Sequence, residues 1–390
     1  MSAPIVRFVT PVLWLLAVAA CSASSDPTPH TAPQTPAADV EPDAPTPSDA
    51  VEDVDDVVSG DLAVPADPAD PADPAVHGEP PDVYAPLVQA LRELSSDPDP
   101  ASTTKGKHYL VSNERRLDLF RPDIDGLGGI HLGVGTDQNF LMAAWSRPEV
   151  MIIVDFDAEV VDLWKVHAAF FRASDDVDAY LRLWSAEGHD DALALLRELP
   201  PGPERKRVIA QFERTRQEVD DRFRKLAERY EELSIHSYLD TPSEYDFVRS
   251  MFTRDRIVVL RGDYTKPGVV RQIGDVLREH DQPVQVLYLS NVEQYVSYRK
   301  PFRENMLGLP FADDTLVLRT LPGRPAGFQY MLQRGEDFRT WMRAKGVWSV
   351  YRLRGKVKGE HLVASERYFI ERLPGDPETL GGAGKARTIK

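Results

Sequence analysis

The chain has 390 residues, enough for one large domain or two small ones, and a formal net charge of −16. Its only cysteine, Cys21, excludes a disulfide framework and a zinc site built from cysteine ligands. Residues 22–82 contribute −15 to the net charge and Arg7 contributes +1, so residues 83–390 carry −2. This nearly neutral C-terminal part gives no sign of a basic nucleic-acid-binding face.

Residues 1–20 predict a lipoprotein signal peptide. Arg7 precedes an apolar run, residues 8–20, that has the length of a secretory signal core and is too short to span a bilayer comfortably. The run leads into "VAAC", which ends at Cys21 and resembles a bacterial lipobox. We expect a palmitate-type lipid on Cys21 to anchor the protein in the cell envelope, and Ser22 favours the outer membrane. The alternatives are an ordinary signal peptide and an unprocessed cytoplasmic protein.

Residues 21–82 predict a disordered tether rich in proline, alanine and aspartate. Residues 22–82 contain 13 prolines, 15 acidic residues and no lysine or arginine. Proline removes hydrogen-bond donors and the acids repel one another, so no packed core can form. A fully extended polyproline II segment of this length reaches about 190 Å at ~3.1 Å per residue. We expect it to hold a domain away from a lipid surface; binding of cations or a basic partner is the alternative.

Residues 83–390 have the composition of a folded α/β domain. An amphipathic helix, "VYAPLVQALRELSS", comes first, and "HYLVSNERRLDLF" predicts a strand or turn that leads into a helix. The stretch "GGIHLGVG" from Gly128 to Gly135 predicts a strand and a glycine-rich turn. The stretch "VMIIVDFD" from Val150 to Asp157, which is apolar up to Val154, predicts a buried parallel strand.

A helical insertion is predicted after this second strand, over residues 158–250. Its last helix runs from Glu204 to Leu233 and carries one apolar stripe on a highly charged surface. The stripe consists of Phe212, Val219, Phe223, Leu226, Tyr230 and Leu233. We expect it to dock on the domain, and coiled-coil pairing is the alternative.

Strands and helices then alternate to the end of the chain. Strands are predicted in "DRIVVLRGDY", "PVQVLYLSN" and "DDTLVLRTL", and a helix in "GFQYMLQRGEDFRTWMRAK", residues 327–345. Residues 347–355 and 361–373 predict a terminal antiparallel pair around "KVKGE". The fold class is therefore α/β: a Rossmann-like, mostly parallel sheet with helices on both faces, the helical insertion, and a C-terminal antiparallel hairpin.

Ligands of open α/β sheets lie at the carboxyl ends of the strands, next to the topological switch point. Gly133 and Gly135 follow the first strand and would let a ligand approach the backbone, and Asp137 stands where the next helix begins. Asp155 ends the second strand, 20 residues beyond Gly135, at the offset where an acid accepts hydrogen bonds from ribose hydroxyls. These four residues predict a cofactor site.

Polar residues also follow the third and fourth strands of the predicted sheet. Asp263 ends the third strand, and Ser290 and Asn291 end the fourth, so all three are candidate ligand contacts. Phosphate binds at the positive amino end of a helix, and the carboxylate of Asp137 would compete for the same amides. S-Adenosylmethionine has no phosphate and fits better than NAD or FAD. The nine histidines show no metal-binding spacing, so no metal is predicted.

In layout the sequence resembles class I S-adenosylmethionine-dependent methyltransferases, and more closely an uncharacterised bacterial family with methyltransferase-like architecture. The segments that carry the resemblance lie in the same order over residues 108–321: "SNE", "HLGVGTDQNF", "IIVDFD", "SYL", "GDYTKPGVVRQIGDVLREH" and "YLSNVEQYV". The resemblance implies that Gly133 and Gly135 line the methionine part of the cofactor, that Asp155 binds the ribose, that Asp263 lies near the adenine amino group and that Asn291 faces the acceptor.

The sequence departs from the methyltransferase pattern at three places. His131 stands where an acid usually precedes the first glycine, Asp137 replaces the third glycine, and no Asn-Pro-Pro-Tyr follows the fourth strand. Two functions remain open. One is methyl transfer from S-adenosylmethionine to an unknown small-molecule or protein acceptor. The other is a catalytically silent binding module on a surface tether, which suits an exported protein that meets little S-adenosylmethionine.

We predict that Cys21 carries the lipid anchor. Cells fed labelled palmitate should incorporate the label into the wild-type protein, and Cys21→Ala should abolish incorporation because no other residue of the chain offers a thiol. Fluorography of the immunoprecipitated protein measures this. Equal labelling of both proteins would contradict the lipobox interpretation.

Overall fold

A computed structural model describes residues 82–100, 106–323, 327–352, 370–373 and 375. The predicted signal peptide, the lipidation site Cys21 and the tether up to residue 81 lie outside these ranges, as do residues 353–369, which include "KVKGE" and most of the predicted terminal pair.

One seven-stranded sheet organises the described part of the chain. The strands are β1 Ile130–Gly133, β2 Val150–Asp155, β3 Ile257–Arg261, β4 Val284–Ser290, β5 Phe311–Gly323, β6 Gly327–Arg334 and β7 Ile370–Arg372. Their order across the sheet is β3-β2-β1-β4-β5-β6-β7. The first five strands are parallel to one another, and β6 runs antiparallel to β5. The predicted α/β fold class is confirmed.

Helices cover both faces of this sheet. In chain order they are α1 Ala85–Arg92, α2 Arg121–Ile124, α3 Gln138–Ser146, α4 Ala158–Ala173, α5 Val177–Trp184, α6 His189–Arg197, α7 Pro203–Glu232, α8 Pro242–Thr253, α9 Val269–Glu279, α10 Lys300–Gly308 and α11 Gly335–Arg343. Helices α4 to α8 form the predicted insertion between β2 and β3 and pack on one face together with α3. Helices α1, α9, α10 and α11 pack on the other face.

The apolar run of β2 explains why both faces are covered. All six residues of the strand are buried. Met151 and Ile153 join the core under α3 and the insertion, whereas Ile152 and Val154 join the core under α9. Successive side chains of a strand point to opposite faces, so a run without polar residues needs apolar partners on both sides.

The long helix of the insertion lies on the domain, as its apolar stripe predicts. Phe212, Val219, Phe223, Leu226 and Tyr230 are all buried in the core shared with α3 and α4. The charged residues on the opposite side of α7 remain at the surface.

The C-terminal antiparallel pair is present, but other residues form it. The sequence predicts one helix over residues 327–345, whereas Gly327–Arg334 is strand β6 and the helix begins only at Gly335. Phe328, Tyr330 and Leu332 face one core and Met331 faces the other, which is the alternation of a strand. Of the predicted terminal pair, Val350–Arg352 is a 3-10 turn and Ile370–Arg372 pairs with β6 in parallel.

We predict that Phe140 of α3 is a principal contributor to stability. Its ring contacts those of Trp164, His167, Phe171, Tyr238 and Phe252. Phe140→Ala should lower the free energy of unfolding by about 3–5 kcal/mol, because a cavity would remain in a well-packed core. Urea denaturation followed by circular dichroism measures the loss. Val83→Ala, at an exposed position, is the control and should change stability by less than about 0.5 kcal/mol.

Candidate functional site

A cleft of about 430 Å³ opens at the carboxyl ends of the parallel strands. Residues that follow β1, β2, β3 and β4 line it, and the segment from Lys107 to Asn113 forms a further wall. The cleft lies where the strand order reverses, because β1 pairs with β2 on one side and with β4 on the other. Its position is the one that ligands of open α/β sheets occupy, and its volume falls in the range of small-molecule sites.

Asp155 ends β2 in the wall of this cleft and is 7% exposed. Its Oδ2 accepts a hydrogen bond from the Gly135 amide (3.2 Å) and its Oδ1 accepts one from the Asp157 amide (2.9 Å). Burial raises the pKa of Asp155 to about 7, against the lowering effect of these amide bonds. Near neutral pH the carboxyl is therefore partly protonated, and hydrogen-bond donors on a ligand would favour the ionised form.

Tyr264 provides a second buried polar group in the same wall. The residue is 4% exposed, and its hydroxyl has no hydrogen-bond partner among the described residues. Burial raises the pKa of the phenol and the nearby charge of Asp155 raises it further, so the hydroxyl keeps its proton. An unpaired hydroxyl is costly inside a protein, which makes Tyr264 a notable residue of the cleft wall.

The two glycines of the turn after β1 make room for side chains of this protein. A Cβ on Gly133 would lie 2.1 Å from Asn139 Oδ1, and a Cβ on Gly135 would lie 2.0 Å from Gln138 Nε2. Gly135 also requires its glycine because its φ is +82°. Gly135 lines the cleft with its backbone, whereas Gly133 lies behind it.

His131 takes part in the same internal packing. Its Nε2 donates to Asn139 Oδ1 (3.1 Å), and the Asn139 carboxamide donates to the carbonyls of Val134 and Thr136. Complete burial lowers the pKa of His131 to about 4, so the imidazole is neutral. The position that holds an acid in the methyltransferase pattern therefore supports the turn from behind.

Asp137 lies outside the cleft and forms a buried ion pair. Its Oδ2 accepts from Arg222 Nε of helix α7 (2.8 Å), and its Oδ1 accepts from the Ser112 amide (2.7 Å). The two side chains are 1% and 9% exposed. The carboxylate makes no capping bond to α3, although the sequence placed it at the start of that helix. Through these two bonds, Asp137 instead links the Lys107–Asn113 segment and helix α7 to the carboxyl end of the sheet.

The third and fourth strand ends supply the remaining predicted residues, and all of them line the cleft. Asp263 Oδ1 accepts from the amide and the hydroxyl of Thr265, and Oδ2 lies 3.4 Å from Lys266 Nζ. Ser290 donates through Oγ to Glu114 Oε1 (3.0 Å), and Asn291 follows it in the wall. The structure thus brings together Gly135, Asp155, Asp263, Ser290 and Asn291.

Three features of the site have no clear signal in the sequence. Tyr264 directly follows Asp263 in "GDY", and its aromatic ring was the only signal for a buried hydroxyl. The wall from Lys107 to Asn113 reaches the cleft only through the tertiary fold. Buried Glu114 lies behind that wall, in the "SNE" segment, and nothing in its spacing indicates which hydroxyls surround it.

The described residues contain no group of three or more histidine, cysteine, aspartate or glutamate side chains placed to hold a metal ion. In the same part of the chain, no helix combines the length and the apolar composition needed to cross a membrane.

The ion pair of Asp137 gives a prediction about stability. Arg222→Met would leave the Asp137 carboxylate buried without its partner, at a cost of about 3–5 kcal/mol in the free energy of unfolding. The double variant Asp137→Asn/Arg222→Met should be less destabilised than Arg222→Met alone. Denaturant titration checks both, with Arg224→Met as the control. Arg224 is exposed on the same helix, and its loss should cost less than about 1 kcal/mol.

Comparison with known proteins places the chain in one family. Residues 109–362 match a family model described as a domain of unknown function, DUF7790. No curated protein matches the sequence. The match spans more than half of the 390 residues and includes β1 to β6 with most of the cleft wall. The chain therefore belongs to the DUF7790 family.

Proposed function

We propose that the cleft binds a phosphate-free adenosine derivative, S-adenosylmethionine, and that the protein transfers its methyl group to an acceptor that enters the same cleft. The observation that carries this proposal is the buried carboxyl of Asp155, which lies in the cleft wall at the strand end next to the switch point.

The hydrogen-bonding capacity of Asp155 supports a sugar ligand. Each of its oxygens accepts a backbone amide and keeps a lone pair in a site shielded from water. Vicinal ribose hydroxyls are two donors with the spacing of a carboxylate. The unpaired hydroxyl of Tyr264 adds a group that can donate to or accept from the same ligand.

The glycine-rich turn favours a ligand without phosphate. The Gly135 amide donates to Asp155, and the Thr136 amide donates to Gln138 Oε1 (3.1 Å). The amides of Asn139 and Phe140 bond to carbonyls of the turn. A phosphate at a helix amino end needs such amides free. In the sequence, the Asp137 carboxylate disfavours a dinucleotide; in the folded protein, the turn's own bonds occupy the amides.

The reaction needs little acid–base chemistry from the protein. S-Adenosylmethionine would supply an electrophilic methyl group, and the protein would mainly orient the two reactants. In this chain Asp155 would hold the sugar, Asp263 would lie toward the base, and Ser290 and Asn291 would face the acceptor. The lining residues fit these roles because they surround one cleft.

A silent binding module is the second candidate function. Asn139 and Gln138 fill the spaces beside Gly133 and Gly135, so these glycines serve internal packing and are no sign of a ligand by themselves. We further propose that Cys21 carries a lipid and that residues 22–82 tether the domain to the cell envelope, whichever function the cleft has.

Calorimetry of the purified full-length protein with S-adenosylmethionine tests the enzyme proposal. We expect binding that Asp155→Asn weakens about tenfold or more, because a hydrogen-bonded carboxylate is lost. Asp281→Asn is the matched control. Asp281 is exposed and precedes β4, so it lies at the amino ends of the strands, away from the cleft. If the wild-type protein gives no heat with millimolar S-adenosylmethionine, the enzyme proposal fails and only the silent binding module remains.

The pH dependence of the same titration tests the role of Asp155. Its pKa is raised to about 7, so the carboxyl is mostly protonated at pH 6 and mostly ionised at pH 8. Ribose hydroxyls donate to the ionised form, so wild-type affinity should rise up to about tenfold from pH 6 to pH 8. Asp155→Asn should be insensitive over this range. An equal pH effect in both proteins would remove Asp155 from the site.

A further inference from the structure

Glu114 lies behind the cleft wall and is surrounded by four hydroxyl groups. Its Oε1 accepts from Ser290 Oγ (3.0 Å) and from Thr320 Oγ1 of β5. Its Oε2 accepts from Ser112 Oγ (3.0 Å) and from the Tyr288 hydroxyl of β4. The side chain is 2% exposed, so these four groups take the place of water around it.

This arrangement allows each of the four hydroxyls to point its hydrogen to Glu114. An ionised carboxylate only accepts hydrogen bonds, and a serine hydroxyl has one hydrogen and two lone pairs. When the hydrogens of Ser112 and Ser290 point to Glu114, both oxygens can act only as acceptors toward any other partner. Ser112 Oγ uses one lone pair for the Glu114 amide (3.1 Å) and keeps the other.

Only two of the four hydroxyl-bearing residues line the cleft. Ser112 and Ser290 are in its wall, whereas Thr320 is fully buried elsewhere and Tyr288 is inside the core. The backbone at Ser290 has a φ of +44°, which a residue with a side chain rarely adopts. Such strain persists where the surrounding structure over-determines a position, and it is concentrated at functional sites.

The carboxyl groups around the cleft outnumber its ammonium groups. Three carboxyl groups, of Asp155, Asp157 and Asp263, line it together with the ammonium groups of Lys107 and Lys266. Glu114 adds a fourth carboxyl group directly behind the two serines. A positively charged group that contacts both serines would meet their two hydroxyl oxygens as hydrogen-bond acceptors. The carboxylate of Glu114 would lie on the far side of these hydroxyls.

We propose that Ser112 and Ser290, oriented by Glu114, form a subsite for an ammonium group. The ligand class is a primary amine, which brings both the positive charge and the N–H donors that two acceptor-only hydroxyls require. Glu114 is a positioning residue, since it acts through the two serines. The subsite does not depend on methyl transfer. Its ammonium group belongs either to an amino-acid part of the adenosine ligand or to a separate amine acceptor.

Two small cations separate hydrogen bonding from charge alone. tert-Butylammonium and tetramethylammonium have the same charge and similar size, but only the first has N–H donors. Ligand-observed saturation-transfer NMR on the full-length protein measures their affinities. Wild type should prefer tert-butylammonium by about tenfold, the effect of charge-assisted hydrogen bonds. No preference in the wild type would overturn the proposal.

Variants assign the preference to the serines. Ser290→Ala should remove most of it, and Ser112→Ala is the second variant if Ser290→Ala lowers the folded fraction. Thr320→Val is the matched control: it removes a donor to Glu114 but leaves the cleft wall intact, so the preference should persist. Loss of the preference in Thr320→Val as complete as in Ser290→Ala would overturn the subsite.

Glu114→Gln tests the positioning role. The carboxamide keeps the shape but adds N–H donors, so at least one hydroxyl must turn its hydrogen away. The preference should fall although both serines remain. An unchanged preference in a folded Glu114→Gln protein would overturn the role of Glu114.

Two nucleosides identify the source of the amine. S-Adenosylhomocysteine carries an amino-acid ammonium group, and 5′-methylthioadenosine lacks it. If Ser290→Ala weakens only the first by about tenfold, the ammonium belongs to the adenosine ligand. If it weakens neither nucleoside but removes the cation preference, the subsite serves a second molecule. Equal weakening of both nucleosides would overturn the assignment. Binding of neither nucleoside, with the cation preference intact, would sink the proposed methyl transfer alone.

Discussion

The segment from Leu110 to Arg116 crosses the carboxyl end of the sheet, and buried polar bonds hold it there. The Ser112 amide bonds to Asp137, and the amides of Arg115 and Arg116 bond to the Tyr330 hydroxyl of β6. The Leu110 carbonyl accepts from the Thr136 hydroxyl. Without these bonds the segment would leave polar groups unpaired over an apolar core. Each bond therefore stabilises the fold and also holds the cleft wall in place.

Two charged centres support this segment in different ways. The pair of Asp137 and Arg222 joins it to the helical insertion, and Glu114 joins it to β4 and β5. Both centres are buried, which makes the loss of one partner expensive. The insertion therefore takes part in building the cleft although none of its helices beyond the start of α4 lines it. The cleft wall therefore depends on three distant parts of the chain at once.

Asp155 and Glu114 show how one cleft treats two acids differently. Asp155 has only amide donors, and burial raises its pKa to about 7, so its charge changes near neutral pH. Glu114 has four hydroxyl donors, and its effect on a ligand passes through the serines that it orients. The first acid would respond to pH near neutrality, and the second would determine which hydrogen-bonding groups the wall accepts.

The sequence by itself determined the layers of the fold and the strand ends that meet at the cleft. The run "VMIIV" from Val150 to Val154 has no polar residue to face water, so its burial between two helical layers follows from local pattern alone. Residues after parallel strands must meet at one edge, which is why Gly135, Asp155, Asp263, Ser290 and Asn291 were found together. Only the tertiary structure decided that Gly133 and Gly135 accommodate Asn139 and Gln138, that Asp137 pairs with Arg222, that residues 327–334 form a strand, and that Glu114 meets four hydroxyls. Most of these features depend on contacts between residues that are far apart in the chain. The local sequence pattern carries no information about which distant group fills a given space.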